Sequence, residues 1–245
     1  MSLIEYIKIQ RGYLESTLEL ELFRDTCLRI DTLYRLAIEV APALPKGAPI
    51  ALERSLQILP ICHKSFLAAA TLIGQGQPDD AAPITRRAIE AVRYVAAIKA
   101  DAAVEKEWLD YGARMKMWKE LQEGRRGSGP IPSIPVKHPL VKELMRFWRI
   151  FSAADVHFTP EFFGDLKWER QGERMTLDYF KGEQRVIETA IVLALKTHMM
   201  MLRVLDDCLD GAFSSNVEWQ NLFDETCHNL TLRGLSGAEN HSNSP

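Results

Sequence analysis

The chain has 245 residues, 47% of them hydrophobic and 26% charged, with 30 Lys and Arg against 33 Asp and Glu and a net charge of −3. That length allows one large domain whose core needs no staples. The charge balance excludes a global attraction to nucleic acid or to an anionic membrane, and leaves only local basic patches for such partners.

The opening MSLIEYIKIQRGYLE has no basic stretch followed by an apolar core, so it does not read as a signal peptide. Apolar residues then recur at three- and four-residue steps, the helical period. Leu14, Leu18, Leu22 or Phe23, Leu33, Leu36 and Ala37 predict a first long helix from about Tyr13 to Val40, ended by APALPKGAP. A second helix is expected from about Ile50 to Gly74, kinked at Pro60 because proline lacks a backbone donor. A third follows GQGQ, capped by Asp79 or Asp80 and with Pro83 in its first turn. Asp101 opens a fourth. EGRRGSGPIPSIPVK, rich in proline and glycine, reads as a loop.

A fifth helix is expected from about Pro139 to Ala154. Leu166, Trp168, Met175, Leu177 and Tyr179 then alternate around RQGE, the pattern of a small β-hairpin. EQRVIETAIVLALKTHMMMLRVLDDCLDG is a sixth helix, apolar on most sides and therefore central, stopped by Gly211. A short seventh spans about Asn216 to Leu230, and the polar residues 232–245 read as a disordered tail. The fold class expected is an all-α bundle of six to seven helices with a small β-hairpin insertion, in a single domain over 1–231. The apolar run in AIVLALKTHMMMLRVL is too short for a membrane span and carries Lys196, His198 and Arg203. Four cysteines, Cys27, Cys62, Cys208 and Cys227, lie far apart with no CxxC pair, which suits reduced thiols in a cytoplasmic protein. No strand–helix alternation, GxGxxG or P-loop occurs, so Rossmann-type and NTPase chemistry is set aside.

Three groups of residues can carry chemistry. In TRRAIEAVR, Arg86, Glu90 and Arg93 stand on one helix face, with Ile89, Val92 and Ala96 on another. Facing water, Arg86 and Glu90 form a pair worth about 0.3–0.5 kcal/mol; facing the bundle, their charges must be fully paired. In FSAADVHFTP, Ser152, Asp155 and His157 come where a helix ends. They either terminate that helix or place a histidine, oriented by Asp155 or Ser152, in a groove as a general acid or base. LDDCLDG has the form DDxxD through Asp206, Asp207 and Asp210. No second acidic motif accompanies it, and three acids at a helix C-terminus oppose the dipole, so a cation should sit beside them. No metal is assigned, since the histidines do not form a ligand set, and no cofactor is implied.

The stretches ITRRAIEAVRYVAAI and FWRIFSAADVHFTP resemble a bacterial all-helical family of unknown function. In that family a helix with an R-x-x-x-E signature precedes a helix ending in a serine-to-histidine signature. Arg86 and Glu90 match the first, Ser152 and His157 the second. The family is distantly similar to HEPN-type helical proteins, many of them ribonucleases of toxin or phage-defence systems, which place an arginine shortly before a histidine on one helix. Here Arg149 stands farther from His157 than that pattern has it. One reading is an enzyme acting on RNA or a nucleotide phosphate, with a site of Arg86, Glu90, Ser152, Asp155 and His157, and with Arg93, Arg125, Arg126 and Arg149 holding the RNA or phosphate. The other reading is a non-catalytic scaffold or small-ligand binder, paired as a homodimer, in which the same Arg, Glu, Ser and His form a polar network between helices.

Overall fold

The structure is a computed structural model that describes residues 2–105, 138–155, 168–171, 174–177 and 184–239. Among the described residues, seven helices are complete: α1 (Leu3–Leu18), α2 (Glu21–Val40), α3 (Ile50–Gly74), α4 (Pro78–Ala100), α5 (Pro139–Asp155), α6 (Gln184–Cys208) and α7 (Val217–Glu239). A further helix opens at 103–105, where the Asp101 side chain accepts from the Ala103 amide at 2.9 Å.

The fold class needs one correction. The sequence suggests a bundle with a hairpin insertion, but the architecture is an all-helical bundle. The residues of the expected hairpin supply only two four-residue segments, Trp168–Gln171 and Arg174–Leu177, aligned antiparallel with each other. Neither packs substantially on a described helix. An isolated two-stranded ladder that short is at best marginally stable by itself.

The expected first helix is also two helices. Leu20 is extended, with φ −74° and ψ 112°, and breaks the run between Leu18 and Glu21 without a proline or glycine. The break is tertiary in origin. Thr17 Oγ1 donates to the Gly74 carbonyl at 3.0 Å, and Leu14 and Phe23 close over Gly74, where an added Cβ would meet them at 2.9 and 3.1 Å. The corner between α1 and α2 thus wraps the end of α3. α1 also begins well before the expected start at Tyr13, at a reciprocal capping box formed by Ser2 and Glu5.

α3 continues through Pro60 to Gly74, and α4 starts with Pro78 at its first position after Gln77. Asp79 and Asp80 therefore lie inside the first turn, favourable with the dipole, and do not cap it. Pro83 sits deeper in α4 than expected. α3 and α4 make the most extensive contact in the molecule, and α4 also packs on α5 and α6. Both helices bring small buried residues, Ala69 and Ala70 of α3 and Ala81, Ala82 and Ala88 of α4, into one continuous core. α2 packs on α3, α6 and α7, and Trp219 of α7, fully buried, donates from Nε1 to the Leu33 carbonyl at 3.1 Å. α7 reaches Glu239, beyond the expected helix end at Leu230. By length and composition, one described helix, α3, could cross a membrane, but it carries Arg54, His63 and Lys64 and its apolar face lies in the core.

The junction of α6 and α7 depends on a single carboxylate. Asp206 is fully buried and accepts from the backbone amides of Phe213 at 2.8 Å and Ser214 at 3.1 Å. Arg203 lies 3.4 Å from its other oxygen. The chain then turns through left-handed Asp210 (φ 56°) and Gly211 (φ 78°), whose amide reaches back to the Asp206 carbonyl at 2.9 Å. Removing the carboxylate orphans two backbone donors in the interior, each costing about 1–3 kcal/mol. We expect Asp206→Ala to lose ~3 kcal/mol in urea denaturation and Asp206→Asn, which keeps one acceptor oxygen, to lose clearly less. Equal losses would contradict a capping role.

Candidate functional site

The packing of α4 on α5 brings Arg86 and Glu90 to Trp148. The Arg86 Nε donates to Glu90 Oε1 at 3.1 Å, and the Trp148 indole N–H donates to the same oxygen at 2.9 Å. The Arg86 guanidinium also lies 4.9 Å from the centre of the Trp148 ring. The Arg86 side chain is 23% exposed and that of Glu90 46%, so the cluster lies at the edge of the bundle, between the two alternatives the spacing left open. Its stabilisation is modest: a few tenths of a kcal/mol for the ion pair and about 0.5–1 kcal/mol for the cation–π contact. Its main effect is to fix Arg86 against α5. Trp148 is the partner that spacing within α4 could not identify.

The other expected site residues distribute as follows. Arg93 lies on α4, partly buried and engaged, and Arg149 is exposed on α5. The backbone of Ser152 and Asp155 belongs to the last turn of α5. Arg125, Arg126 and His157 lie outside the described residues.

Beside this cluster, between α4, α5 and α6, is a cavity of about 330 Å³. Its walls are mainly apolar: Ala82, Ile150, Phe151, Ala190, Leu193 and Ala194. Thr85, next to Arg86 in α4, also lines it, and Asp79, Arg185 and Thr189 add polar groups. Alanines of both α4 and α6 are among the residues that line it. A sealed empty space of this size would cost about 8 kcal/mol at ~24 cal/mol per Å³, comparable with a whole domain's stability. Such a space persists only when it communicates with solvent or is filled.

A second polar assembly joins α2, α3 and α6, and the sequence pattern did not single it out. The Tyr34 hydroxyl and His198 Nδ1 share a hydrogen bond of 2.8 Å, and both residues are fully buried. His198 Nε2 has no hydrogen-bond partner among the described residues; the ring meets Phe66 edge-on at 5.2 Å. His63 stacks on Tyr34, with centroids 5.3 Å apart and planes 16° from parallel, and its Nε2 lies 2.7 Å from Asp31 Oδ1. Asp31 and His63 are on different helices, so no linear spacing announces their contact.

Each of the DDxxD carboxylates is engaged by other groups. Asp206 is the interior cap described above. Asp207 pairs with His138 at 3.0 Å and lies 3.7 Å from Arg203, and Asp210 takes Lys99 at 2.7 Å. The cations that the helix dipole demands are thus present in Lys99 of α4 and Arg203 of α6. Among the described residues no three His, Cys, Asp or Glu side chains converge as metal ligands. No family model, curated protein or solved structure matches the chain, and its site is therefore read from its own geometry.

Desolvation, helped by the nearby His63, pushes His198 down to about 3 from an ordinary value near 6.5. The folded state therefore holds His198 neutral while the unfolded state takes up its proton below about pH 6.5. Stability from this group is complete above that pH and falls as the pH drops toward 3, by as much as ~1.4 kcal/mol per pH unit. We expect His198→Gln, which can still bond Tyr34, to show a correspondingly shallower fall in urea-denaturation stability under acid. Parallel pH profiles for the two proteins would refute this account.

Proposed function

We propose that the protein is a helical-bundle binder of a small, largely apolar ligand, housed in the cavity between α4, α5 and α6. The observation that carries this reading is the cavity itself. At about 330 Å³ it falls in the size range of ligand pockets, and it combines apolar walls with a few polar groups. Asp79, Arg185 and Thr189 offer a polar end, and Ile150, Phe151 and Leu193 an apolar body, which suits an amphipathic molecule. The Arg86–Glu90–Trp148 cluster holds α5 at the register that forms the cavity wall, a positioning role that needs no chemistry from Arg86.

The alternative, a HEPN-like ribonuclease, draws on His157, Arg125 and Arg126, which lie outside the described residues. No described contact favours it, and Arg86 is already committed to Glu90 and Trp148. A cytoplasmic location belongs to the proposal, supported by four free thiols.

The cavity reading is tested by filling the space. Wild-type protein should bind an anilinonaphthalene sulfonate probe saturably, one molecule per chain, and release it to decanoate. Ala194→Leu should weaken that binding about tenfold, some 1.4 kcal/mol, without loss of helical signal. Unchanged binding in the filled variant would end this proposal.

Homodimer formation is the second part of the reading. Leu3, Ile4 and Ile7 are 73%, 66% and 53% exposed on α1, an apolar run suited to a partner surface. Sedimentation velocity at micromolar concentration should give two chains per particle, reduced to one by Ile4→Glu with Ile7→Glu. A wild-type monomer would remove this part alone.

A further inference from the structure

The groove between α2 and α3 holds an imidazole arranged for reaction. His63 Nε2 lies 2.7 Å from Asp31 Oδ1, and Asp31 Oδ2 lies 3.8 Å from Arg35 Nε. A carboxylate at Nε2 fixes the tautomer: Nε2 carries the proton and donates it, and Nδ1 keeps the lone pair. Nδ1 has no hydrogen-bond partner among the described residues, and it is not one of the buried polar atoms left without a partner. It therefore meets solvent, and the side chain as a whole is 16% exposed. Tyr34 forms a fixed floor beneath the ring, because its hydroxyl is anchored on buried His198. The ring is thus held from below by stacking and from one edge by a carboxylate, and its basic nitrogen is free.

Arg35 is 64% exposed beside Asp31, and the next residue along α3, Lys64, is exposed too. The neighbouring thiol does not compete as a nucleophile: Cys62 is fully buried and burial pushes it up to about 12. The nucleophile available in this groove is the histidine nitrogen itself.

We propose that His63 is a phosphoryl acceptor, taking a phosphoryl group onto Nδ1 from a small acyl phosphate, with Asp31 as its positioning carboxylate. The Nδ1 lone pair forms the N–P bond as the P–O bond to the acyl group breaks. The acyl carboxylate leaves with that electron pair. The ring becomes a phosphorylated imidazolium whose remaining proton, on Nε2, is held by Asp31, so the positive charge that develops is compensated where it forms.

The test uses the full chain and acetyl phosphate. Intact-mass and tandem mass spectrometry should find one acid-labile, base-stable phosphoryl group on His63, while His228, exposed on α7, stays unlabelled. His63→Gln should abolish the label, and Asp31→Asn should slow its appearance by ~100-fold, within the range of acid–base assistance. If His63→Gln does not fold, as judged by circular dichroism, Asp31→Asn and the His228 comparison carry the decision. No label, label spread over His63 and His228 at similar rates, or an unchanged rate in Asp31→Asn would overturn the proposal. This outcome is independent of probe binding in the α4–α6 cavity, since none of the residues concerned lines it.

Discussion

The seam between α3 and α4 is the constraint on which the rest of the molecule depends. Both helices bring small buried residues to the core, Ala69 and Ala70 from α3 and Ala81, Ala82 and Ala88 from α4, and small side chains let two helix backbones approach. That approach sets the rotation of α4. With Ala88, Ile89, Val92, Val95 and Ala96 turned into the core, the face carrying Arg86 and Glu90 is carried to the flank where α5 packs. The same rotation presents Ala82 and Thr85 to α6, where Ala190 and Ala194 answer them with equally little volume. The polar cluster and the cavity are therefore two consequences of one packing choice. Larger residues in the seam would displace both.

Polar groups in this bundle divide by what they are asked to do. Where a backbone must change direction inside the core, a carboxylate is buried and fully used, as at Asp206. Where charges sit at an edge, as at Arg86 and Glu90, their net contribution is small and their geometry is the useful part. The Tyr34–His198 pair is intermediate. It is sealed, it is one hydrogen bond short of complete, and that shortfall is a cost of the order of 1–3 kcal/mol that an apolar pair would not carry. A core tolerates such a group when something else depends on its position, and here the Tyr34 ring supports His63.

Helical periodicity made most of the architecture legible before any coordinate. α3, α5 and α6 fall close to the spans their apolar repeats define, and Gly211 does close α6 through a left-handed turn. The misplaced features share a cause. The break at Leu20 has no local signal, because Gly74, far along the chain, imposes it. The alternation around RQGE satisfies a strand pattern, yet strands make a layer only when they have a face to bury, which no local pattern supplies. The acidic run at the end of α6 shows the converse: the dipole argument required a cation, and Arg203 and Lys99 provide it, although only Arg203 lies near in sequence.

The site residues divide along the same line. Arg86 and Glu90 were visible as neighbours because they share a helix, whereas Trp148 became their partner only through the docking of α5. Asp31 and His63 were invisible as a pair for the same reason, each lying among residues that merely continue a helix. Chemistry in an all-helical protein depends on contacts between helices, and a sequence specifies those through volumes rather than through motifs. In this chain the deciding volumes are alanines. They contribute to the core that α3 and α4 share and line the space toward α6, while the Asp31–His63 pair forms where α2 meets α3.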